Sequence, residues 1–275
     1  MRKAYLIYIS LLLFGLYACK KNDFIPPGMF QKIKCDYSQA YAPGLIPETT
    51  GPIYLFTKTY DANNRLSEIS FRLRNVAYFP VDLYRYTVSY PQGHMVFTGM
   101  KGETVYDFAF NKQGQLDHVN GNDIRFIYTG NKLSEIVKGI ESEPFIQMSY
   151  DKTNKNISKL KFFHSGAYDT IQYVYDYSRK IKEQVYPDDM IGDAFTFYFF
   201  LKYLNILPDL QPENMLTSST YGSTVFYPYP SFYDRVYSNH IIDKEGKLLS
   251  YTQTSHRSYD LTMVENWTID WKCFK

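Results

Sequence analysis

Few residues in this 275-residue chain stand at spacings that chemistry requires. The five histidines are His94, His118, His164, His240 and His256. No two of them show the spacing of a zinc helix or knuckle. There is no phosphate loop, dinucleotide fingerprint or nucleophile elbow. Asp188 and Asp189 are adjacent carboxylates. A glycosidase needs two carboxyls roughly 5 to 9.5 Å apart across a cleft, and an acidic pair ahead of an apolar run serves equally as helix N-terminal charge. No catalytic residue, metal site or cofactor follows from these patterns.

Sulfur and aromatic chemistry remain. Cys35 and Cys273 could form a disulfide if the chain is exported, tying the start of the fold to its end. The alternative is two buried thiols. The second candidate is a segment with Tyr221, Phe226, Tyr227, Tyr229, Phe232, Tyr233 and Tyr237, stiffened by Pro228 and Pro230. Flat rings on a rigid loop stack on sugar faces, so Tyr221, Tyr227, Tyr229, Phe232 and Tyr233 are the candidate ligand contacts. The same rings could instead pack over a core as a lid.

The third candidate is Cys19. Arg2 and Lys3 open the chain, and Ala4 to Leu16 is mostly apolar. This is the pattern of a secretory signal, and it is shorter than the roughly 20 residues of a membrane span. It ends at Leu16-Tyr17-Ala18-Cys19, which resembles the lipobox of bacterial lipoproteins. Ala18 is the small residue before the cut, and Cys19 is the thiol that takes diacylglycerol. Tyr17 departs from the small residue usual there. The resemblance implies residues 1–18 as signal peptide and a permanent acyl anchor, since stable anchoring takes more than one chain. Residues 19–34, with Pro26, Pro27 and Gly28, read as a tether. No Asp follows Cys19, which favours the outer membrane, facing either the periplasm or the outside.

These side chains need elements to position them, and the composition points to sheet. The chain holds 28 Tyr and 20 Phe, and tyrosine suits a half-exposed strand. One pattern recurs: an aromatic or apolar residue, Asp or Asn, turn formers, a polar residue, an apolar residue, and another apolar residue three on. It appears as Tyr60-Asp61-Ala62-Asn63-Asn64-Arg65-Leu66 with Ile69, and as Phe110-Asn111-Lys112-Gln113-Gly114-Gln115-Leu116 with Val119. A shortened copy is Tyr128-Thr129-Gly130-Asn131-Lys132-Leu133 with Ile136. Looser copies start at Tyr150, Tyr175 and Ile242. Each reads as a β-hairpin, with Asp or Asn capping a strand and Gly or Asn supplying a positive φ. The flanks alternate with a period of two.

The Tyr-Asp-x-x-Gly-[Lys/Arg]-Leu hairpin resembles the YD or Rhs-type repeat. Together with the leader it is more similar to a family of Bacteroidetes lipoproteins of unknown function with a porin-like antiparallel sheet. That resemblance spans about Ile53 to Cys273 and implies fold and location without carrying over any catalytic residue. Residues 35–275 are therefore expected to form a single all-β domain. It would be a large antiparallel meander of long hairpins, curled or barrel-like, with one short buried helix. The helix is expected within Met190 to Leu207, opened by the acidic pair and closed before Pro208.

The formal net charge is only +2, and no basic run or patch along the chain suggests a nucleic-acid partner. Two function classes stand. One is a non-enzymatic, lipid-anchored envelope protein, structural or binding a glycan or an envelope protein. The alternative is a glycan-processing enzyme or its accessory.

Overall fold

The structure is a computed structural model that describes residues 35–43, 52–74, 80–91, 93–139, 144–164, 167–182, 184, 201, 204, 212–223, 234–257 and 261–273. Sixteen strands follow one another as an antiparallel meander. They are β1 (Cys35–Pro43), β2 (Pro52–Tyr60), β3 (Leu66–Arg74), β4 (Pro80–Ser89), β5 (His94–Thr98), β6 (Thr104–Phe110), β7 (Leu116–Val119) and β8 (Ile124–Thr129). The second eight are β9 (Lys132–Lys138), β10 (Ile146–Tyr150), β11 (Ile157–His164), β12 (Ala167–Lys180), β13 (Asn214–Ser223), β14 (Asp234–Ile242), β15 (Leu248–Arg257) and β16 (Leu261–Cys273). Each strand pairs with its sequence neighbours, and β1 also pairs with β16, so the sheet closes on itself. The expected all-β, barrel-like meander is what forms.

The recurring sequence pattern is one turn built repeatedly at one end of the barrel, except at Tyr175, where β12 runs on through Asp176 to Lys180 and no hairpin forms. Asp61 Oδ1 accepts the backbone N–H of Asn63 and Arg65. Asn111, Asp151 and Asp243 do the same with the residues two and four on. The fourth residue takes a positive φ, at Asn64, Gly114, Asn154 and Gly246. Asn tolerates this region and glycine enters it without strain, so the Asn-or-Gly alternation in the motif has a backbone cause.

Just beyond each turn the register slips by one residue. Thr59 pairs with Glu68 but Tyr60 with Leu66, and Ala109 pairs with His118 but Phe110 with Leu116. The same β-bulge follows Leu133, Ile157 and Leu248. A bulge inserts one residue and shifts the two-residue alternation by one. Leu66 and Ile69, three apart, therefore point to the same buried side. Leu116 with Val119 and Leu133 with Ile136 repeat this. The bulge also takes a carbonyl out of the regular ladder, and the next strand supplies a donor. The hydroxyls of Tyr90, Tyr128, Tyr150 and Tyr175 donate to the carbonyls of Leu66, Leu116, Leu133 and Ile157 at 2.8–3.0 Å. Trp271 Nε1 donates to Leu248 at 2.7 Å. His240 hydrogen-bonds the Leu216 backbone at the corresponding place between β13 and β14. Part of the tyrosine excess thus satisfies bulge carbonyls that would otherwise be buried unpaired.

Inward residues form one apolar cluster, with Phe97, Phe108, Leu133, Ile136, Leu160 and Phe162 at 0% exposure. A round barrel of this strand number would leave a water-filled lumen. Complete burial therefore means that the interior is filled by side chains at these positions, Leu201 and Leu204 among them. Rings fill much of the space: Phe97 and Phe108 meet edge to face at 5.4 Å, and Tyr86 meets Phe97 at 6.4 Å.

Of the segment expected to be helical, Leu201 and Leu204 are described. Both are helical and buried within the core; the remainder lies outside the described residues. The β12–β13 connection is bound to the turn end by a buried amide network. Asn156 donates to Asp151 and Asn214 and accepts the backbone N–H of Glu213 and Asn214. Gln184 donates to the carbonyls of Pro212 and Asn214.

Candidate binding site

The inward face is not uniform. From β5 to β11 it carries Leu, Ile, Val, Met, Phe and Ala at its buried positions, with Asn156 at the turn-end rim. From β12 to β16 the alternation that buries Tyr173, Tyr221, Tyr237, Tyr251 and Trp267 also buries Asp169, Ser219, Arg235, Gln253 and Ser255. Register sets these in rows. Arg235 on β14 lies between Ser219 on β13 and Ser255 on β15. One row nearer the turn end, Gln253 lies between Tyr237 and Glu265. Gln253 Nε2 donates to Ser255 Oγ at 3.2 Å and reaches Glu265 Oε2 at 3.5 Å. Its Oε1 is buried without a hydrogen-bond partner. Ser219 Oγ and Tyr237 Oη are 3.2 Å apart.

An aromatic ladder runs beneath these groups. Tyr237 and Tyr251 are 5.9 Å apart, and Tyr251 and Trp267 are 6.4 Å apart and nearly parallel at 9°. His240 stacks on Tyr251 at 6.2 Å. Burial, reinforced by the charge of Arg179, pulls the His240 ring below the ordinary histidine range against its hydrogen bond to Leu216. It is therefore neutral near pH 7.

Rings flanked by an amide, a guanidinium, a carboxylate and hydroxyls are the groups that hold a polar ligand, and here Tyr237, Tyr251, Trp267, Arg235 and Gln253 are all buried in the core. Covalent chemistry has less support in the geometry. The inward carboxylates among these, Asp169 and Glu265, stand on β12 and β16 with three strands between them. Among the described residues no group of three or more His, Cys, Asp and Glu could hold a metal ion.

The sequence-chosen residues fare unevenly. Tyr221 is on β13 and buried in the core, not in a loop. Tyr237 is likewise a buried strand residue. Tyr227, Tyr229, Phe232 and Tyr233 fall outside the described residues, as do Cys19, Asp188 and Asp189. Cys273 is disulfide-bonded and stands opposite Cys35 in the β1–β16 register. Trp267 is inward and buried, and Trp271 is partly buried against the core on the same strand. The polar rows of β13–β16 escaped the sequence reading. Their signal is an interruption of apolar alternation, as in Tyr251-Thr252-Gln253-Thr254-Ser255, which resembles an ordinary exposed strand.

This closed antiparallel barrel has structural neighbours among solved proteins. The chain is similar to a porin-like protein from Bacteroides uniformis, with a TM-score of 0.59 and 13% identity over 86% of this chain and 98% of that one. It is also similar to a porin-like protein from Bacteroides vulgatus, with a TM-score of 0.50 and 12% identity over the same shares. At such identities the likeness is one of fold. No family model matches the chain, and neither does any curated protein.

Proposed function

We propose that this is a cell-envelope protein, anchored by lipid on Cys19, whose collapsed β-barrel binds a partner and neither conducts nor catalyses. One observation carries the reading: the strand faces have the polarity opposite to that of a transmembrane barrel. Such barrels turn an apolar band to lipid and a polar face to the lumen. Here the apolar face is packed shut inside. The outward positions carry Arg85, Thr87, Arg125, Gln172, Thr220 and Asn266, all exposed. Exposed apolar residues there are few: Val174, Val236 and Val264 share one row of the register with Ser218 and Thr254 between them, and Ile127 stands apart. Among the described residues no helix is long and apolar enough to cross a membrane; in this reading the Cys19 acyl chains are the anchor. The fold likeness to Bacteroides porin-like proteins supports an envelope location.

The meander also orients the domain. β1 starts at Cys35 on the turn end, so the tether of residues 19–34 joins there. The 224–233 connection between β13 and β14 leaves from the opposite end, beside Arg235 and Ser219. A glycan or envelope-protein partner meets that far end, with Tyr227, Tyr229, Phe232 and Tyr233 as its proposed contacts. The Cys273 disulfide has Cys35 as its partner in this reading, because Cys19 is taken by lipid.

Planar-bilayer recording of the purified protein tests the reading. No unitary conductance is expected, and Cys19→Ala should release the protein from membranes without detergent. Stable pores, or a Cys19→Ala protein that still needs detergent, would overturn it. A glycan array on the released protein then asks for the ligand.

A further inference from the structure

We propose that the disulfide at the β1–β16 seam is a thiol–disulfide exchange site for an external dithiol reductant, with Cys273 as the leaving sulfur and Lys247 holding the thiolate that forms. Cys273 is disulfide-bonded and exposed, and the strand register places Cys35 opposite it. Lys247 closes the 243–247 turn between β14 and β15. It is only 7% exposed, and its Nζ donates to Cys273 Sγ at 3.2 Å. A sulfur in a disulfide accepts hydrogen bonds weakly. A thiolate at the same place carries a full charge, and a charge-assisted bond from a buried ammonium is far stronger. The contact therefore stabilises the cleaved bridge more than the intact one.

Two carboxylates share the Lys247 ammonium. Glu245 hydrogen-bonds it, and Asp243 stands 3.7 Å away. Glu245 is exposed, so water screens its charge. Asp243 accepts the backbone N–H groups of Glu245 and Lys247, which offset its own. The nearest and least screened charge on Cys273 Sγ is therefore positive. A neighbouring lysine lowers a thiol's pKa, and the sulfur with the lower pKa leaves faster. Attack accordingly falls on the other sulfur. A thiolate of the dithiol attacks Cys35 Sγ, the Sγ–Sγ bond breaks, and its electron pair leaves on Cys273. The dithiol's second sulfur, deprotonated, then displaces Cys35 and closes the reductant into a disulfide. Two electrons pass to the bridge. One proton ends on Cys35, and the other stays in solution while Cys273 remains a thiolate against Lys247. Cleavage removes the covalent clasp where β1 enters the barrel and leaves the β1–β16 ladder to hold the seam.

The first test needs no variant. The mature wild-type protein is treated briefly with limiting glutathione, a monothiol that stops at the mixed disulfide, and free thiols are then alkylated in acid. Peptide masses should place glutathione on Cys35 and the alkyl group on Cys273. Glutathione on Cys273, or on both cysteines equally, would overturn the assignment. The second test compares Lys247→Gln with the wild type. Reduction by dithiothreitol should slow by at least about fivefold, because the leaving thiolate loses its ammonium. A loosened seam would instead speed reduction, so an equal or faster rate counts against the proposal. In the fully reduced proteins at about pH 6, Cys273 of the wild type should alkylate at least about tenfold faster than Cys273 of Lys247→Gln. Equal rates would show that Lys247 does not hold a thiolate.

Discussion

Apart from β1–β4, where Lys58 and Ser70 are buried on β2 and β3, the barrel wall divides into two halves that obey the same alternation and bury different chemistry. Between β5 and β11 the buried strand positions among the described residues carry only aliphatic and aromatic side chains. Between β12 and β16 an arginine, a glutamine, an aspartate and serines share the buried face with the rings. Burying a charge or amide costs free energy that apolar residues of similar volume avoid. The first half is explained by stability; the second contains groups that stability does not require. That difference is why the partner is placed on the second half and its far end.

The largest effect should come from the seam between β16 and β1. Reducing the Cys273 disulfide, or Cys273→Ser, should lower stability by about 4 to 5 kcal/mol in the chain-entropy account of so long a loop. Urea unfolding with and without reductant measures this. An unchanged midpoint would show that strand pairing alone holds the ring closed.

Next come the cavities that separate the halves. Leu133→Ala or Phe97→Ala, at positions without exposure, should cost about 3 to 5 kcal/mol. Gln253→Leu, equally buried, should cost under about 1 kcal/mol or even stabilise, because it removes an unpartnered amide oxygen. Comparable losses at Gln253 and Leu133 would erase the distinction between the halves.

Acid should act on the turn end that both halves share. Burial opposes the charge of Asp151, but hydrogen bonds from Thr153, Asn156 and the Lys155 backbone outweigh it and bring the carboxyl to about 2. Asp61 and Asp243 are lowered too, against burial, by hydrogen bonds within their own turns. A carboxyl lowered on folding contributes stability that is complete above its unfolded pKa near 4 and lost as pH falls toward 2. The urea midpoint should therefore hold from pH 7 to about 4 and drop below that. Asp151→Asn should keep the turn, since Asn111 makes the same bonds natively, and should flatten part of the drop.

A single hydroxyl is tested by Tyr150→Phe. It removes the donor to the Leu133 carbonyl and should cost about 1 kcal/mol. A neutral result would mean that water replaces the hydroxyl.

The hairpins were legible because Asp61, Asn111 and Asp243 act on their own turn, and local chemistry is written in contiguous residues. The three-residue apolar spacing was visible as a pattern, but its cause, a bulge, needs the partner strand. The tyrosines were visible as a surplus. Their work on the carbonyls of neighbouring strands was not, because Tyr90 and Leu66 are far apart in the chain. Tyr221 was misplaced for the same reason: a ring beside a proline-rich stretch reads as loop until pairing with Ile171 shows it on a strand.

The sequence by itself determined an antiparallel, hairpin-built chain, because turn capping, positive φ and two-residue alternation are set by neighbours a few residues apart. Only the tertiary structure decided which face of that sheet is buried, and so whether the barrel is packed or open. It alone brought Arg235, Gln253 and Glu265 into adjacent rows from three strands.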